Sequence, residues 1–229
     1  MDHSDIDQPA LVEDRTEPAA VDKVAAIDVL STSAQTCTRC GLSNGRSNVV
    51  FGVGNVQSPL MLVGEGPGVN EDMSGVPFVG RAGQLLDECL REAGMLRKHV
   101  YITNILKCRA CEQIDGRIQN RPPTSEELDA CVPSWLHKQI AIIRPLVIVC
   151  VGGPAANTLI KSGFRIMSDR GRWFESKHAR YITAVLHPAF ILRQDGDDYH
   201  RYRQVLVDDF IEAREKAKAA KKEPKLSLF

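Results

Sequence analysis

The chain carries no net charge and no long apolar run, and each absence excludes a class of protein. Lys and Arg together number 29, as do Asp and Glu, so the formal net charge at pH 7 is zero. The whole molecule is therefore not a basic protein that binds nucleic acid through its overall charge, although a local basic patch is compatible with this balance. No stretch of about 18 apolar residues is present, so we expect no membrane span.

The N-terminal segment also lacks the apolar core of a secretory signal peptide. Residues 1–20 are acidic and polar, which predicts a cytoplasmic protein. Structural disulfides are rare in that reducing compartment. The seven cysteines are moreover an odd number, which does not suit a framework of disulfides alone.

Four of the cysteines form a close pair and a distant pair. Cys37 and Cys40 form a C-x-x-C motif, and Cys108 and Cys131 follow far downstream. Four such thiolates could close around a metal ion or an iron–sulfur cluster. A lone C-x-x-C motif is common, and free cysteine also behaves as a small apolar residue. The spacing alone therefore leaves both interpretations open.

Length and composition predict one folded domain with a tail at each end. The 229 residues suit a single domain, which we place at residues 36–219. We expect residues 1–35 to form an acidic, disordered arm, although residues 21–35 could form a short helix. Residues 220–229 form a C-terminal tail.

Four apolar runs predict the strands of a sheet. They are residues 60–64, 100–104, 146–151 and 181–186. Helical patterns lie between and after them, at residues 80–93, 125–142, 154–161 and 198–219. This alternation predicts an α/β protein, a three-layer α/β/α sandwich around a central, mainly parallel four-stranded sheet.

Polar motifs follow three of these strands, at the edge where open α/β sheets bind ligands. Gly64-Glu65-Gly66-Pro67-Gly68 follows the first strand, Asn104 ends the second, and His187-Pro188 follows the fourth. Each motif alone has an ordinary explanation as a turn, a cap or a backbone hydrogen bond. Their convergence on one edge predicts a binding site there.

Five motifs stand in a fixed order along the chain: Gly64-Glu65-x-Pro67-Gly68-x-x-Glu71-Asp72, Gly75-x-Pro77-Phe78-Val79-Gly80-Arg81-Ala82-Gly83, Thr103-Asn104-x-x-Lys107-Cys108, Arg170-Gly171-Arg172 and His187-Pro188-Ala189-x-x-Leu192-Arg193. Together they resemble the family 4 uracil-DNA glycosylases, which are iron–sulfur enzymes. The resemblance covers residues 36–210, most of the chain. It implies the fold of those enzymes and an activity that flips uracil out of DNA and hydrolyses its N-glycosidic bond, which starts base excision repair.

The resemblance also implies a cofactor and a uracil pocket. A 4Fe–4S cluster would be bound by Cys37, Cys40, Cys108 and Cys131. Cys111, in an unusually long segment at residues 110–121, is the alternative to Cys108. The residues expected to contact uracil are Gly64, Glu65, Gly66, Phe78, Asn104 and His187.

Individual roles follow from the same resemblance. His187 would stabilise the uracil anion as it leaves, and Glu65 and Glu71 are the candidates to assist the cation-like sugar and the attacking water. Glu71 could instead exclude the methyl group of thymine. Arg193 and Ile191 would contact DNA, with Ile191 as an apolar wedge unless it belongs to the core.

The C-terminal residues indicate a possible protein partner. Leu226, Ser227, Leu228 and Phe229 are similar to the peptide that binds the bacterial DNA sliding clamp, although Lys225 stands where that pattern usually has Gln. The tail could instead pack on its own domain.

Two alternative functions remain open. The first is that of a relative of the family that cross-links to uracil-DNA through a histidine in a basic loop, for which residues 176–180 are the nearest candidate. The other is a non-catalytic iron–sulfur DNA-binding module. We expect a monomer.

Overall fold

The computed structural model describes residues 22–223. In this part of the chain the strands are β1 (Val53–Gly54), β2 (Leu60–Gly64), β3 (Tyr101–Asn104), β4 (Cys111–Ile114), β5 (Arg117–Asn120), β6 (Val147–Val151) and β7 (Tyr181–Val185). The helices are α1 (Lys23–Gln35), α2 (Val69–Ser74), α3 (Arg81–Glu92), α4 (Ser125–Cys131), α5 (His137–Ile143), α6 (Gly153–Leu159), α7 (Ile166–Asp169), α8 (Pro188–Ile191) and α9 (Gly196–Lys222). None of these helices is long and apolar enough to cross a bilayer. Most of the predicted acidic arm and the predicted clamp-binding peptide lie outside the described residues.

The central sheet has the strand order β1-β3-β2-β6-β7. The pairings β3–β2, β2–β6 and β6–β7 are parallel, as the alternation of strand and helix predicted. The sheet has five strands rather than four, because β1 pairs antiparallel with β3 at the edge. This strand is only two residues long, too short to give a detectable hydrophobic period.

Helices cover both faces of the sheet, which confirms the three-layer arrangement. Successive side chains of a strand point to opposite faces. Met61 and Val63 accordingly pack in the core that includes α1, α5 and α6. Leu60 and Leu62 pack in a second core with α3 and α9. Each layer thus buries its own apolar face against the sheet.

The folded domain begins earlier than residue 36. Helix α1 has Asp22 as its N-cap, and Ile27 and Ala34 are buried on one of its faces. Lys23 Nζ also donates a 2.6 Å hydrogen bond to the carbonyl of Ile143 at the end of α5. This helix, which leads to Cys37, is therefore part of the domain rather than of a disordered arm.

The helical segment predicted at residues 125–142 is present as α4, a π-helical turn and α5 in succession. Thr124 caps it, because its hydroxyl accepts from Glu127 N–H at 3.2 Å while the Glu127 carboxylate accepts from Thr124 N–H at 2.9 Å. The π-helical turn, Val132–Leu136, contains Pro133, whose missing N–H prevents regular α-helical bonding there. The helix carries Cys131 at the end of its first part.

A β-hairpin accounts for the unusually long segment at residues 110–121. Strands β4 and β5 pair antiparallel through a turn at Asp115 and Gly116, both with positive φ. The hairpin stands outside the central sheet, and Ile114 and Ile118 on it are exposed. The sequence indicated the extra length but not this structure.

Candidate functional site

A cleft of about 690 Å³ opens at the carboxyl ends of the parallel strands. It is lined by residues 65–71 after β2, by Asn104 at the end of β3, by residues 152–154 after β6 and by His187 after β7. The polar motifs therefore meet at one sheet edge, as their positions predicted. The parallel strands that form the core of the domain therefore also carry these polar groups at their carboxyl ends.

Gly64 brings an aromatic ring and an amide together at the floor of this cleft. A Cβ atom on Gly64 would overlap Asn104 Oδ1 and would lie 2.5 Å from Cζ of Phe78. The missing side chain is thus what allows the Phe78 ring and the Asn104 amide to approach each other. Both residues are buried, at 6% and 2% exposure.

The Asn104 side chain has an unused hydrogen-bond donor. Its Nδ2 is buried and has no hydrogen-bond partner among residues 22–223. A buried donor without a partner is costly, about 1–3 kcal/mol, and most buried polar groups in proteins are paired. Because Asn104 also lines the cleft, this donor fits a ligand that offers an acceptor.

His187 is neutral, with its proton on Nε2. Nδ1 accepts a 3.0 Å hydrogen bond from Ala189 N–H, which assigns the proton to Nε2. Burial lowers the pKa of His187 to about 4, the nearby Arg193 acts in the same direction, and Glu71 opposes them. The His187 ring lies 5.9 Å from the Phe78 ring, centroid to centroid. The imidazole is therefore a neutral donor at pH 7, beside the aromatic surface.

The two candidate carboxylates differ in what already occupies them. Glu71 Oε2 accepts from Gly68 N–H at 3.0 Å, and Oε1 accepts from Val79 and Gly80 N–H, each at 2.9 Å. Glu71 thus joins the loop after β2 to the loop that carries Phe78. Glu65 also lines the cleft, but its carboxylate accepts no hydrogen bond from the described residues. Burial raises the pKa of this carboxyl group. Glu65 is the carboxylate that remains available to a ligand.

The mouth of the cleft has cationic and aromatic side chains, but the predicted wedge is wrong. Arg193, Arg81 and Phe190 line the cleft. Ile191 is 0% exposed and packs in the core beside α3 and α9, so it cannot enter a DNA stack. Phe190, one residue earlier, is half-buried against the same core and also lines the cleft.

The four predicted ligand cysteines line one small pocket. Cys37, Cys40, Cys108 and Cys131 all border it, together with Lys107. Cys111 is not among the lining residues; it lies on β4, paired with Asn120. All seven cysteines of the chain are free of disulfides. The pocket therefore gathers the cysteine set that includes Cys108.

The cysteine pocket contains a cation beside its four sulfur donors. Within the described residues, no group of three or more His, Cys, Asp or Glu side chains is placed to hold a single metal ion. Arg46 adds a positive charge: its Nη1 donates to the Cys37 carbonyl at 2.6 Å and to Cys108 Sγ at 3.5 Å.

Comparisons with known proteins agree with this geometry. The family model described as the uracil DNA glycosylase superfamily matches residues 51–211. The chain belongs to this superfamily. The type-4 uracil-DNA glycosylase of Thermotoga maritima is 39% identical over 189 residues, which are 82% of this chain and 93% of that protein. The type-4 enzyme of Archaeoglobus fulgidus is 40% identical over 175 residues, 73% of this chain and 83% of that protein.

These relatives place the chain in the type-4 family of uracil-DNA glycosylases. The alternative cross-linking histidine finds no support in the geometry of the cleft. His178, from the basic segment 176–180, stacks on His137 at 4.8 Å between centroids, and neither lines the cleft. Among the residues that line the cleft in the described part of the chain, His187 is the sole histidine.

Two parts of this type-4 site were missed by sequence reasoning. Gly152 has a φ of +102°, and a Cβ there would lie 3.1 Å from Cβ of His187, so glycine makes room for the imidazole. Its position after the third predicted strand was a usable signal. Asn120 also lines the cleft and is bound by Arg109 Nε at 2.7 Å. No periodicity could have indicated Asn120, because the hairpin that delivers it was not predicted.

Glu71 accepts hydrogen bonds from the backbone and Glu65 does not, so the two carboxylates should differ in their effect on folding stability. Glu71→Gln replaces one accepting oxygen by an N–H donor, which would face a backbone N–H, so we expect a loss of about 1–3 kcal/mol. The matched change Glu65→Gln removes no hydrogen bond and relieves a partly buried charge, so the free energy of unfolding should change little. Denaturant unfolding of both variants is the measurement; equal losses would contradict the distinction.

Proposed function

We propose that this chain is a uracil-DNA glycosylase, which flips uracil out of DNA and hydrolyses the bond between the base and deoxyribose. The observation that carries the proposal is the buried, unpartnered Nδ2 of Asn104 beside the Phe78 ring in the cleft. A base within a duplex stack cannot be reached by catalytic groups, so it must enter such a pocket from outside. The printed names of the relatives agree with this activity.

Asn104 and Phe78 would recognise the base. The Phe78 ring offers a flat surface for stacking, and the Asn104 amide can donate from Nδ2 to uracil O4 while Oδ1 accepts from N3–H. Cytosine has the opposite pattern at these two positions, which would leave buried groups unpaired at about 1–3 kcal/mol each. The backbone of residues 64–66, two of which are glycine, would lie against the base without a side chain to clash.

His187 would stabilise the leaving uracil. Cleavage places negative charge on O2 of the base, and a positioned N–H donor lowers the energy of that charge as it forms. The proton on Nε2 is available for this bond, because Nδ1 is occupied by Ala189 N–H. With a pKa of about 4, His187 acts as a neutral donor throughout the physiological range, and it need not transfer its proton.

Glu65 would act on the sugar side of the bond. The deoxyribose becomes cation-like as the base leaves, and a carboxylate stabilises that charge and orients the attacking water. Its free oxygens support this role. Glu71 would instead stabilise the loops that carry Phe78, since its oxygens already accept three backbone N–H groups. In that position it can also form part of the wall that excludes the thymine methyl group.

DNA would be bound at the mouth of the cleft. Arg193 and Arg81 can contact phosphates, which position a duplex without recognising its sequence. Phe190 beside Arg193 is placed to contact bases that lose their stacking when the uracil is flipped. Because the substrate is genomic DNA, we propose that the enzyme acts in the cytoplasm.

A 4Fe–4S cluster bound by Cys37, Cys40, Cys108 and Cys131 is part of the same proposal. Such a cluster can carry electrons when bound, but hydrolysis of a glycosidic bond involves no change of oxidation state. Its role would be structural: it would join the loop of Cys37 and Cys40 to the segment after β3 and to α4. Buried Lys107 supports this donor set, since it borders the same pocket and its positive charge would lie beside the thiolates.

The first test concerns the base-recognising amide. Purified protein is incubated with an oligonucleotide that contains a single uracil, and alkali then cleaves any abasic site. Asn104→Asp should lose activity by roughly 100-fold or more, because a carboxylate cannot donate to O4 and repels it. Asn55→Asp, the same change at an exposed turn where only an acceptor is used, is the control. No excision by the cluster-containing wild type would defeat the proposed function, and a fully active Asn104→Asp would contradict the role of the amide.

The second test distinguishes the two possible cysteine ligands. Cys108→Ser should lose most of the protein-bound iron and acid-labile sulfide and the visible absorption of the cluster. Cys111→Ser should retain them, because Cys111 lies outside the pocket. The reverse result, with cluster loss only in the Cys111 variant, would show that the ligand set is wrong.

The sequence of the C-terminal tail, which lies outside the described residues, supports one further partner. We propose that residues 226–229 bind the bacterial DNA sliding clamp. Deletion of residues 225–229 should abolish clamp binding in a pull-down or calorimetric titration, while excision from a short oligonucleotide should remain unchanged. Unaltered clamp affinity after the deletion would refute this assignment.

A further inference from the structure

Phe78, which is proposed to stack on uracil, has an unusual backbone. Its φ is +54°, in the left-handed region that side-chain-bearing residues seldom adopt. The other non-glycine residues with positive φ in the described part of the chain have ordinary reasons: Asp115 is in a hairpin turn and Arg144 caps the end of α5. Phe78 is neither in a hairpin turn nor at a helix end, so its conformation must be stabilised by neighbouring groups.

Arg97 supplies hydrogen bonds to this strained segment. Its guanidinium donates to the Phe78 carbonyl from Nη2 at 2.8 Å and from Nη1 at 3.2 Å. Nη2 also donates to the carbonyl of Pro77. Arg97 precedes β3 and does not line the cleft. Its contact with the site is therefore made through the backbone of Phe78.

The first turn of α3 encloses the same carbonyl from another direction. A Cβ atom on Gly83 would overlap the carbonyl carbon and oxygen of Phe78. The Phe78 main chain is thus confined between the glycine at the start of α3 and the guanidinium of Arg97. With this backbone fixed, the ring is directed toward Gly64 and Asn104.

We propose that Arg97 is a positioning residue for base recognition: its guanidinium holds Phe78 in the left-handed conformation that keeps the ring over the bound uracil. This inference rests on the proposed role of Phe78 in stacking. Without Arg97, the carbonyls of residues 77 and 78 lose their donor, and Phe78 is free to adopt a right-handed or extended backbone. The aromatic surface would then leave the pocket in a large fraction of molecules.

The expected effect is a loss of uracil excision that depends on Phe78. Arg97→Met retains an apolar stem but removes every donor, and kcat/KM on a single-uracil oligonucleotide should fall about tenfold, within the range expected for loss of one base–aromatic stack. Arg97→Lys keeps one charged donor and should recover part of the loss. Because stacking acts on the bound base, the change should appear in KM at least as strongly as in kcat.

Two neighbouring variants serve as matched controls. Asp87→Asn removes the 3.2 Å ion pair with Arg97 but leaves the bonds to the carbonyls, so activity should stay near that of the wild type. Arg91→Met removes an exposed positive charge from the same helix as Asp87 and should also have little effect. If this control lost as much activity as Arg97→Met, charge attraction to DNA would explain both results and the proposal would fail.

A double-mutant cycle with Phe78→Ala decides the matter. The proposal predicts that Arg97→Met costs about tenfold in the wild-type background and nothing further in the Phe78→Ala background. Equal losses in both backgrounds would overturn it, as would a fully active Arg97→Met. Thermal unfolding of all variants separates this effect from general destabilisation, and Arg97→Lys takes the place of Arg97→Met in the cycle if the latter does not fold. If Phe78→Ala itself retains full activity, the stacking role is at fault and the inference falls with it, whereas the enzyme activity stands.

Discussion

The close packing around Gly64 is the constraint on which the rest of the site depends. Strands β2 and β3 pair in parallel with Gly64 beside Asn104, so the two strands end at the same level. Any side chain at Gly64 would occupy the space of the Asn104 amide and the Phe78 ring. The absent side chain therefore lets the Phe78 ring and the Asn104 amide pack together at the end of the two strands. The alternation of helices and strands matters to function mainly because it fixes this junction.

Charged side chains stabilise the loops that surround the junction. These loops have few regular backbone hydrogen bonds, and a cleft cannot satisfy every N–H with water. Glu71 accepts three backbone N–H groups, and buried Asp72 accepts from Ser47 N–H at 3.0 Å. Arg97 performs the converse task for carbonyls. Since charge-assisted hydrogen bonds are stronger than neutral ones, a few such residues can fix loops that lack secondary structure.

The parts of the structure that depend on local pattern could be predicted from the sequence. The four apolar runs became the parallel strands, and their following motifs met at one edge because parallel strands share a carboxyl end. Features set by distant contacts could not be predicted. Whether Glu71 binds water or backbone depends on where residues 68 and 79–80 come together, and the sequence holds no signal for that distance.

Ile191 shows the same limit within a single turn of helix. Phe190 and Ile191 are adjacent apolar residues on α8, and either could have faced the DNA. The direction of that short helix, set by its packing on α3 and α9, turns Ile191 into the core and leaves Phe190 among the residues that line the cleft. Hydrophobicity identifies the apolar segment, but the packing of the helix against the domain determines which of the two adjacent residues is buried.

The cysteine pocket and the end of β3 are connected through Lys107. Its Nζ donates to the carbonyl of Asn104 at 2.6 Å and to Thr103 Oγ1 at 2.7 Å, while Lys107 itself borders the cysteine pocket. The end of β3 is therefore fixed from behind by an ammonium group whose charge is best balanced by thiolates. A change at the cysteines would reach the Asn104 backbone through this one side chain. The proposed cluster, although it would take no part in hydrolysis, would therefore lie beside the lysine that holds the strand end of Asn104.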